Sequence, residues 1–335
     1  FPEETRDSFQ LLGISHLLAV SGLHGGIIAG AAYKLFSPGG FYFKNGAAWF
    51  FLLTYSFLAG FSPSINRAAL MFFFFSLRKF YLRYPDPWTI LSLSAIPQIL
   101  INPFVVFSAG FQLSYLTIGG IVLFHKKRDS KISLSFAAVA GTLPIVIYYF
   151  NKISFIGVLV NLFYVPLFSL ITLLAMLSLC FNVSFFTLYL DKFVNFIIFG
   201  TEQLSEKFLF LDINISSPEF WEIIFYYCFL FLILSNRKIK LKISGLLLVF
   251  LLIISFYPKK WEISFLDVGQ GDSTFIFTEN EKTILIDGGP WGKEVEKYLS
   301  YLGINNPDLF IVTHGDADHI NGIIWLIETH PPKSL

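Results

Sequence analysis

The chain has 335 residues, 55% hydrophobic and 14% charged, with 41 phenylalanines and a net charge of +1. Soluble domains sit nearer roughly 45–50% apolar and about 25% charged, which excludes a wholly water-soluble globule for most of the length. The small net charge conceals a split, because residues 261–335 hold 12 acidic and 4 basic side chains while residues 1–260 carry +9. An oily, basic membrane part is therefore expected over 1–258 and an acidic, water-soluble domain over 259–335, divided at Tyr257-Pro258-Lys259-Lys260. Cys180 and Cys228 lie in apolar runs, the usual setting of cysteine as a small hydrophobe, so no disulfide framework is implied. The opening Phe1-Pro2-Glu3-Glu4 has neither Met nor a signal peptide, and the chain is expected to be a piece of something longer.

A helix crosses a bilayer core with about 20 predominantly apolar residues. Spans are expected at 11–33, 47–61, 65–77, 88–101, 104–124, 132–150, 153–179, 220–234 and 241–257. A less regular one covers 193–211, interrupted by Glu202, Gln203, Glu206 and Lys207. Pro97, Pro144 and Pro166 break several runs, which lipid tolerates only where protein or water satisfies the freed backbone groups. A polytopic α-helical bundle around a polar path fits that pattern.

The first run contains "SHLLAVSGLHGGIIAG", residues 15–30, in which Gly22, Gly26 and Gly30 stand four apart. That spacing lets helices approach closely. His16 and His24 are eight apart, about 80° round a continuous helix, so both favour one side. Ser21 and these histidines either hydrogen-bond neighbouring helices or line a wet path, and both readings stay open. Further along, "GFSPSINRAALMF" carries Arg67 inside an apolar stretch, snorkelling to a helix end or meeting an anionic substrate. Asn66, Gln112 in "SAGFQLSY" and Asn161 in "GVLVNLFYVP" are candidates of the same kind.

Basic loops favour the cytoplasm. Arg78/Lys79/Arg83, Lys126/Lys127/Arg128/Lys131 and Arg237/Lys238/Lys240/Lys242 share one side if 193–211 counts as a span, which places residues 261–335 outside the cytoplasmic membrane. Lys259-Lys260 is the contrary sign.

Beyond Pro258 the pattern changes to alternation. Strands are expected at Trp261–Asp267, Ser273–Thr278 and Lys282–Asp287, a helix over 292–302, a buried strand at Leu309–Val312 and a second helix over 320–327. That order is an α/β organisation. The fourth strand runs into "THGDADH", residues 313–319, where a loop can turn His314, Asp316, Asp318 and His319 towards one point. Imidazole and carboxylate together suit a divalent metal of the zinc, manganese or iron type. A solvated turn accounts for Gly315 and one Asp, but not for two His and two Asp together.

"LFIVTHGDADHINGI" resembles the signature loop of the metallo-β-lactamase superfamily, whose usual form is His-x-His-x-Asp-His, and "LDVGQGDS" and "ILIDGG" resemble its strand-turn signals. The resemblance implies the N-terminal half of an αββα sandwich. His314 and position 316 would serve one metal, and Asp318 and His319 a second, with Asp318 and His319 the residues on which catalysis depends. Asp at 316, in place of the commoner His, hardens the first site and shifts its preference from zinc towards manganese. Two metals suit hydrolysis because they generate a nucleophile at neutral pH and clamp attacking and leaving oxygens. Asp267, Asp272 and Asp287 would orient the ligands from behind. The later half of such a domain, with its remaining ligands, is expected to lie outside this chain.

The membrane part resembles the ComEC family of competence DNA-uptake channels, carried by "HLLAVSGLH", "GFSPSINRAALM", "FSAGFQLSYLTIGG" and "ISFIGVLVNLFYVPL" in that order. The resemblance implies a multi-pass protein of the bacterial cytoplasmic (inner) membrane that imports single-stranded DNA in natural transformation. His16, Ser21, His24, Asn66, Arg67, Gln112 and Asn161 would line the path, and an extracytoplasmic metal-dependent hydrolase would cut phosphodiesters. It also implies a cytoplasmic ATPase and an outer-side DNA receptor as partners; a homo-oligomer is among the states the sequence allows. Two other readings stand beside it: a membrane-anchored metallohydrolase of a cell-envelope ester, and a transporter whose outer domain is non-catalytic.

Overall fold

The computed structural model describes residues 3–18, 21–77, 86–125, 131–154, 156–181, 184–208, 213–234, 245 and 261–334. The expected boundary at 258/259 falls outside the described residues. So do all but Gly245 of the span 241–257, the pair Lys259-Lys260, and the side chains of the three basic clusters that set the expected orientation. The chain divides into two compact units, residues 1–145 with 153–213, and residues 146–152 with 214–335.

The first unit is helical: α1 (Glu3–Leu11), α2 (Gly22–Leu35), α3 (Gly40–Leu58), α4 (Pro63–Ser76), α5 (Pro87–Ile101), α6 (Ala109–His125), most of α7 (Lys131–Phe150), α8 (Gly157–Phe181) and α9 (Ser184–Lys207). Helix starts have local causes. Pro63 and Pro87 sit at first helical positions, where the missing N–H is not needed. Asp86 caps α5 by accepting from the Trp88 N–H at 3.1 Å. Polar residues that interrupt the apolar run of α9 dock it on α1: Thr5 Oγ1 donates to Glu202 at 2.8 Å and Ser205 Oγ to Ser8 Oγ at 3.0 Å. Phe9, Leu12, Ile14, Leu17 and Val160 form one buried cluster here, and Ala29, Ala32, Ala48, Leu52 and Ala69 another.

Three expectations are corrected. The run 11–33 is not one helix: Gly13 turns the chain at φ +68°, Ser15–Leu17 is a single 3-10 turn, and α2 begins only at Gly22. Ser21, extended at φ −115° and ψ 160°, takes the N-cap position, so His16 and His24 do not share a helix. The run 104–124 is also divided, into a 3-10 turn (Pro103–Phe107) and α6, because Ser108 is extended. The glycine row is not a close-contact face either. A Cβ on Gly26 or Gly30 would meet nothing within 4 Å, whereas one on Gly120 would come within 2.5 Å of the Ala137 carbonyl oxygen and one on Gly141 within 2.7 Å of that of Leu116. The tight glycine crossing is thus between α6 and α7. Among the described residues one helical stretch, Ser133–Phe150, is long and apolar enough to cross a membrane; shorter apolar stretches lie in α5, α6, α8 and α10 (Phe220–Leu234).

The short strands β1 (Lys152–Ile153) and β2 (Ile213–Asn214) lie where the chain passes from one unit to the other. The second unit holds α10 and a four-stranded mixed sheet in the order β3 (Glu262–Phe265), β4 (Thr274–Phe277), β5 (Thr283–Ile286), β6 (Leu309–Ile311). β3, β4 and β5 are antiparallel neighbours; α11 (Lys293–Leu302) carries the chain across so that β6 lies parallel to β5. Alternation sends Phe275, Leu285 and Phe310 to one face, where they pack on Val295 and Leu299 of α11 and Ile323 and Leu326 of α12 (Ala317–Thr329). Burying each such side chain contributes about 1.5–3 kcal/mol. Asp308 fixes the β5–β6 register by accepting from the Thr283 N–H at 2.9 Å and from Lys333 at 3.1 Å. The Thr283 amide and the lysine hold its carboxyl well below the usual range.

Candidate functional site

β6 delivers the chain to residues 312–316, and α12 starts at Ala317 with Asp316 at its N-cap position. The loop sits hard against the turn that ends β5. Gly288 donates its N–H to the His319 carbonyl at 2.9 Å, and Gly322 donates to Gly289 at 2.9 Å. A Cβ on Gly322 would overlap the Gly288 carbonyl, and one on Gly271 would overlap that of Asp318. Glycine at these positions is what lets three chain segments close on the loop.

Asp287, at φ +57° and 3% exposed, is the brace. Its carboxylate accepts from the Thr313 N–H at 2.8 Å and the Thr313 hydroxyl at 2.6 Å, and meets His319 Nδ1 at 3.0 Å. Burial pushes its pKa up, but the Thr313 and His319 hydrogen bonds outweigh that and the net shift is downward. The same hydrogen bond raises the pKa of His319. Because Nδ1 is occupied, Nε2 of His319 is the nitrogen left to face a ligand.

His314 is held likewise, Nδ1 lying 2.8 Å from the Thr313 hydroxyl and Nε2 3.4 Å from Asp316. The His314 and His319 rings stand 3.9 Å apart, and Asp318 reaches within 3.9 Å of His319 Nε2. The structure thus brings His314, Asp316, Asp318 and His319 together with Asp287 behind them. Among the described residues Asp267 accepts from its own turn, the Gly269 N–H at 3.3 Å, while Asp272 is close enough to act on His319 through its charge. Thr313, which links His314 to the same carboxylate that holds His319 directly, has no distinguishing signal in the sequence.

Among the described residues no three His, Cys, Asp or Glu side chains enclose a metal position by themselves. The donor chemistry nonetheless fits a divalent ion. Both imidazoles present Nε2, both are oriented through Nδ1, and each has a carboxylate beside it, a set that suits manganese or zinc. His314 with Asp316, and Asp318 with His319, are the pairs that would hold ions.

In the helical unit most of the candidate path residues have local partners. Asn66 is locked locally, accepting from the Ser56 hydroxyl at 2.6 Å and donating to the Phe61 carbonyl at 2.7 Å. Gln112 donates to the Val106 carbonyl at 2.9 Å. The Ser21 N–H donates to His24 Nδ1 at 3.3 Å, a capping contact, and His16 is exposed on its 3-10 turn. Asn161 Oδ1 is buried with no hydrogen-bond partner among the described residues. Arg67 is different: 8% exposed, it donates through Nη1 to the Ser114 carbonyl, and its Nε has no partner among the described residues. Beside it lies a network the sequence did not reveal, in which Tyr115 accepts from Gln98 at 2.8 Å and meets Ser94 at 3.1 Å. The i, i+4 spacing of Ser94 and Gln98 on α5 was the available signal.

A family profile described as Competence protein matches residues 1–240, and one described as Metallo-beta-lactamase superfamily matches residues 266–335. The chain is 29% identical to "ComE operon protein 3" of Bacillus subtilis, over 99% of this chain and 48% of that protein. It is 27% identical to "Recombination protein 2" of Haemophilus influenzae (98% and 50%) and 25% identical to "Competence protein ComA" of Neisseria gonorrhoeae (94% and 48%). The chain therefore spans about half the length of the curated relatives it matches. No solved structure matches significantly.

Proposed function

This chain belongs to the competence protein family, and from that premise we propose that it passes single-stranded DNA across the bacterial cytoplasmic membrane while its metallo-β-lactamase-like part hydrolyses phosphodiesters outside. The observation that carries the reading is the union, in one chain, of a helical unit with buried polar groups and a loop whose histidines are both preset for a metal. A bundle through which a strand moves needs cationic and hydrogen-bonding side chains beside aromatic ones. Arg67, Gln98, Tyr115 and Asn161 supply such groups from α4, α5, α6 and α8.

A divalent metal, when bound, supplies charge to the attacked phosphodiester and activates water. The residues of the chain do the rest. Asp287 and Thr313 fix the two imidazoles, and the glycine contacts hold Asp318 and His319 at the start of α12, whose N-terminus itself favours an anion. Asp316, with its side chain 78% exposed, favours a second reading in which the outer part docks DNA without cutting it.

The test of strand passage is made in cells. Duplex DNA labelled on one strand is offered to cells lacking the gene and to complemented cells. Loss of intracellular label with surface binding retained fits the proposal; entry of label in cells lacking the gene would refute it.

A further inference from the structure

Helix N-termini carry a partial positive charge and N–H groups without intrahelical acceptors. In the helical unit the first turn of α2 meets the first turn of α4: a Cβ on Gly22 would lie 3.1 Å from the Ser64 carbonyl oxygen. The Arg67 guanidinium is packed into the same place, since that Cβ would also overlap Nη2. A cation and a positive helix end are thus pressed together. Among the described residues Arg67 has no carboxylate partner; its one hydrogen bond goes to the Ser114 carbonyl. Its Nε is buried and unpaired, and so are the hydroxyls of Ser62, at the N-cap of α4, and Ser114. Buried donors left unpaired are costly, and a buried unpaired cation more so. An anion at the guanidinium would supply the acceptor that Arg67 lacks.

We propose that Arg67, with the first turns of α2 and α4, forms a site for one phosphate group of the passing strand. This rests on reading the helical unit as the strand's path. A phosphodiester suits the donors because it carries a single negative charge and two free oxygens. One oxygen meets the unpaired edge of the guanidinium, and the other the amides of Gly22 and Leu23, which are short of acceptors by position. Glycine at 22 is part of the site, since any side chain there displaces the guanidinium. The planar fork, rather than a point charge, holds the phosphate in register as the strand steps past.

The test uses the full-length protein in phosphatidylcholine nanodiscs, titrated with a short thymidine oligonucleotide having either a phosphodiester or a neutral methylphosphonate backbone. Arg67→Gln should weaken phosphodiester binding about tenfold or more and lower the salt slope by about one. Gly22→Ala, which keeps the charge but shifts it, should weaken binding in the same direction, and the methylphosphonate strand should bind all proteins equally poorly. Unchanged affinity and salt slope in Arg67→Gln, with only the melting temperature lowered, would show a helix staple and overturn the proposal. Collapse of the wild-type advantage in phosphatidylglycerol discs would show that a lipid headgroup takes the site, overturning the strand as its occupant. Inorganic phosphate separates the two levels of the account. If wild type binds no oligonucleotide yet phosphate raises its melting temperature in an Arg67-dependent way, the anion site stands and the strand path falls. With neither effect, both fall.

Discussion

Replacing Asp287 by Asn isolates the brace behind the candidate metal loop. Asn tolerates the positive φ of this position, so the backbone is not strained by the change. The substitution retains one oxygen for the Thr313 N–H but turns an NH2 towards the Thr313 hydroxyl and His319 Nδ1, two donors that the carboxylate meets at 2.6 and 3.0 Å. Hydrogen bonds to a charged group are worth about 1.5–3 kcal/mol each. Water reaches the freed groups from the loop side, which brings the net loss to about 2–3 kcal/mol. Local opening should then be roughly 30- to 150-fold more frequent. Hydrogen exchange of the full-length protein reads this directly, with peptides covering Thr313 to His319 accelerated and those of α11 unchanged. Thr313→Val should show most of the same effect, and the double variant little more than either alone. Exchange of the loop within twofold of wild type in Asp287→Asn would refute the brace.

Gly322→Ala should destabilise the sheet-bearing unit by about 1–3 kcal/mol or more, because its Cβ overlaps the rigid Gly288 carbonyl, while Gly315→Ala, with nothing within 4 Å, should stay within about 0.5 kcal/mol; thermal unfolding compares them. In the helical unit Gly120→Leu should lower the yield of folded protein in detergent far more than Gly26→Leu, and equal losses would contradict the α6–α7 crossing. Asp308 has a lowered pKa when folded, so its stabilisation is present above about pH 4 and lost as the pH falls towards the folded value. Asp308→Asn should therefore flatten the acid limb of the stability curve, with Asp287, also lowered, accounting for part of what remains.

Much of the second unit was legible because its signals are local. Alternation from Trp261 to Asp287 gave the strands, and the apolar strand ending at Val312 pointed to a loop in which four donors meet. Thr313 was not legible, since nothing in a lone threonine tells that its amide and hydroxyl reach a carboxylate 26 positions earlier. The helical unit was legible in composition and misleading in detail. Unbroken apolarity from Leu17 to Val20 hid the break before α2, although Ser21 followed by Gly22 is a common way to begin a helix. The row Gly22, Gly26, Gly30 has the spacing of a packed face, yet which helix lies alongside decides whether a glycine is used. Only Gly22 of that row is pressed, by the Arg67 guanidinium and the Ser64 carbonyl. Ser94, Gln98 and Tyr115 become a network only once α5 and α6 are neighbours.

The central claim is that "THGDADH" organises hydrolysis of a phosphodiester, and a nuclease assay of the full-length protein with and without manganese tests it most directly. Wild type should cut a labelled strand only with the metal, Asp318→Asn and His319→Ala should each abolish cutting, and Asp316→His should shift the preferred metal from manganese towards zinc. Full manganese-dependent cutting by Asp318→Asn would contradict the account.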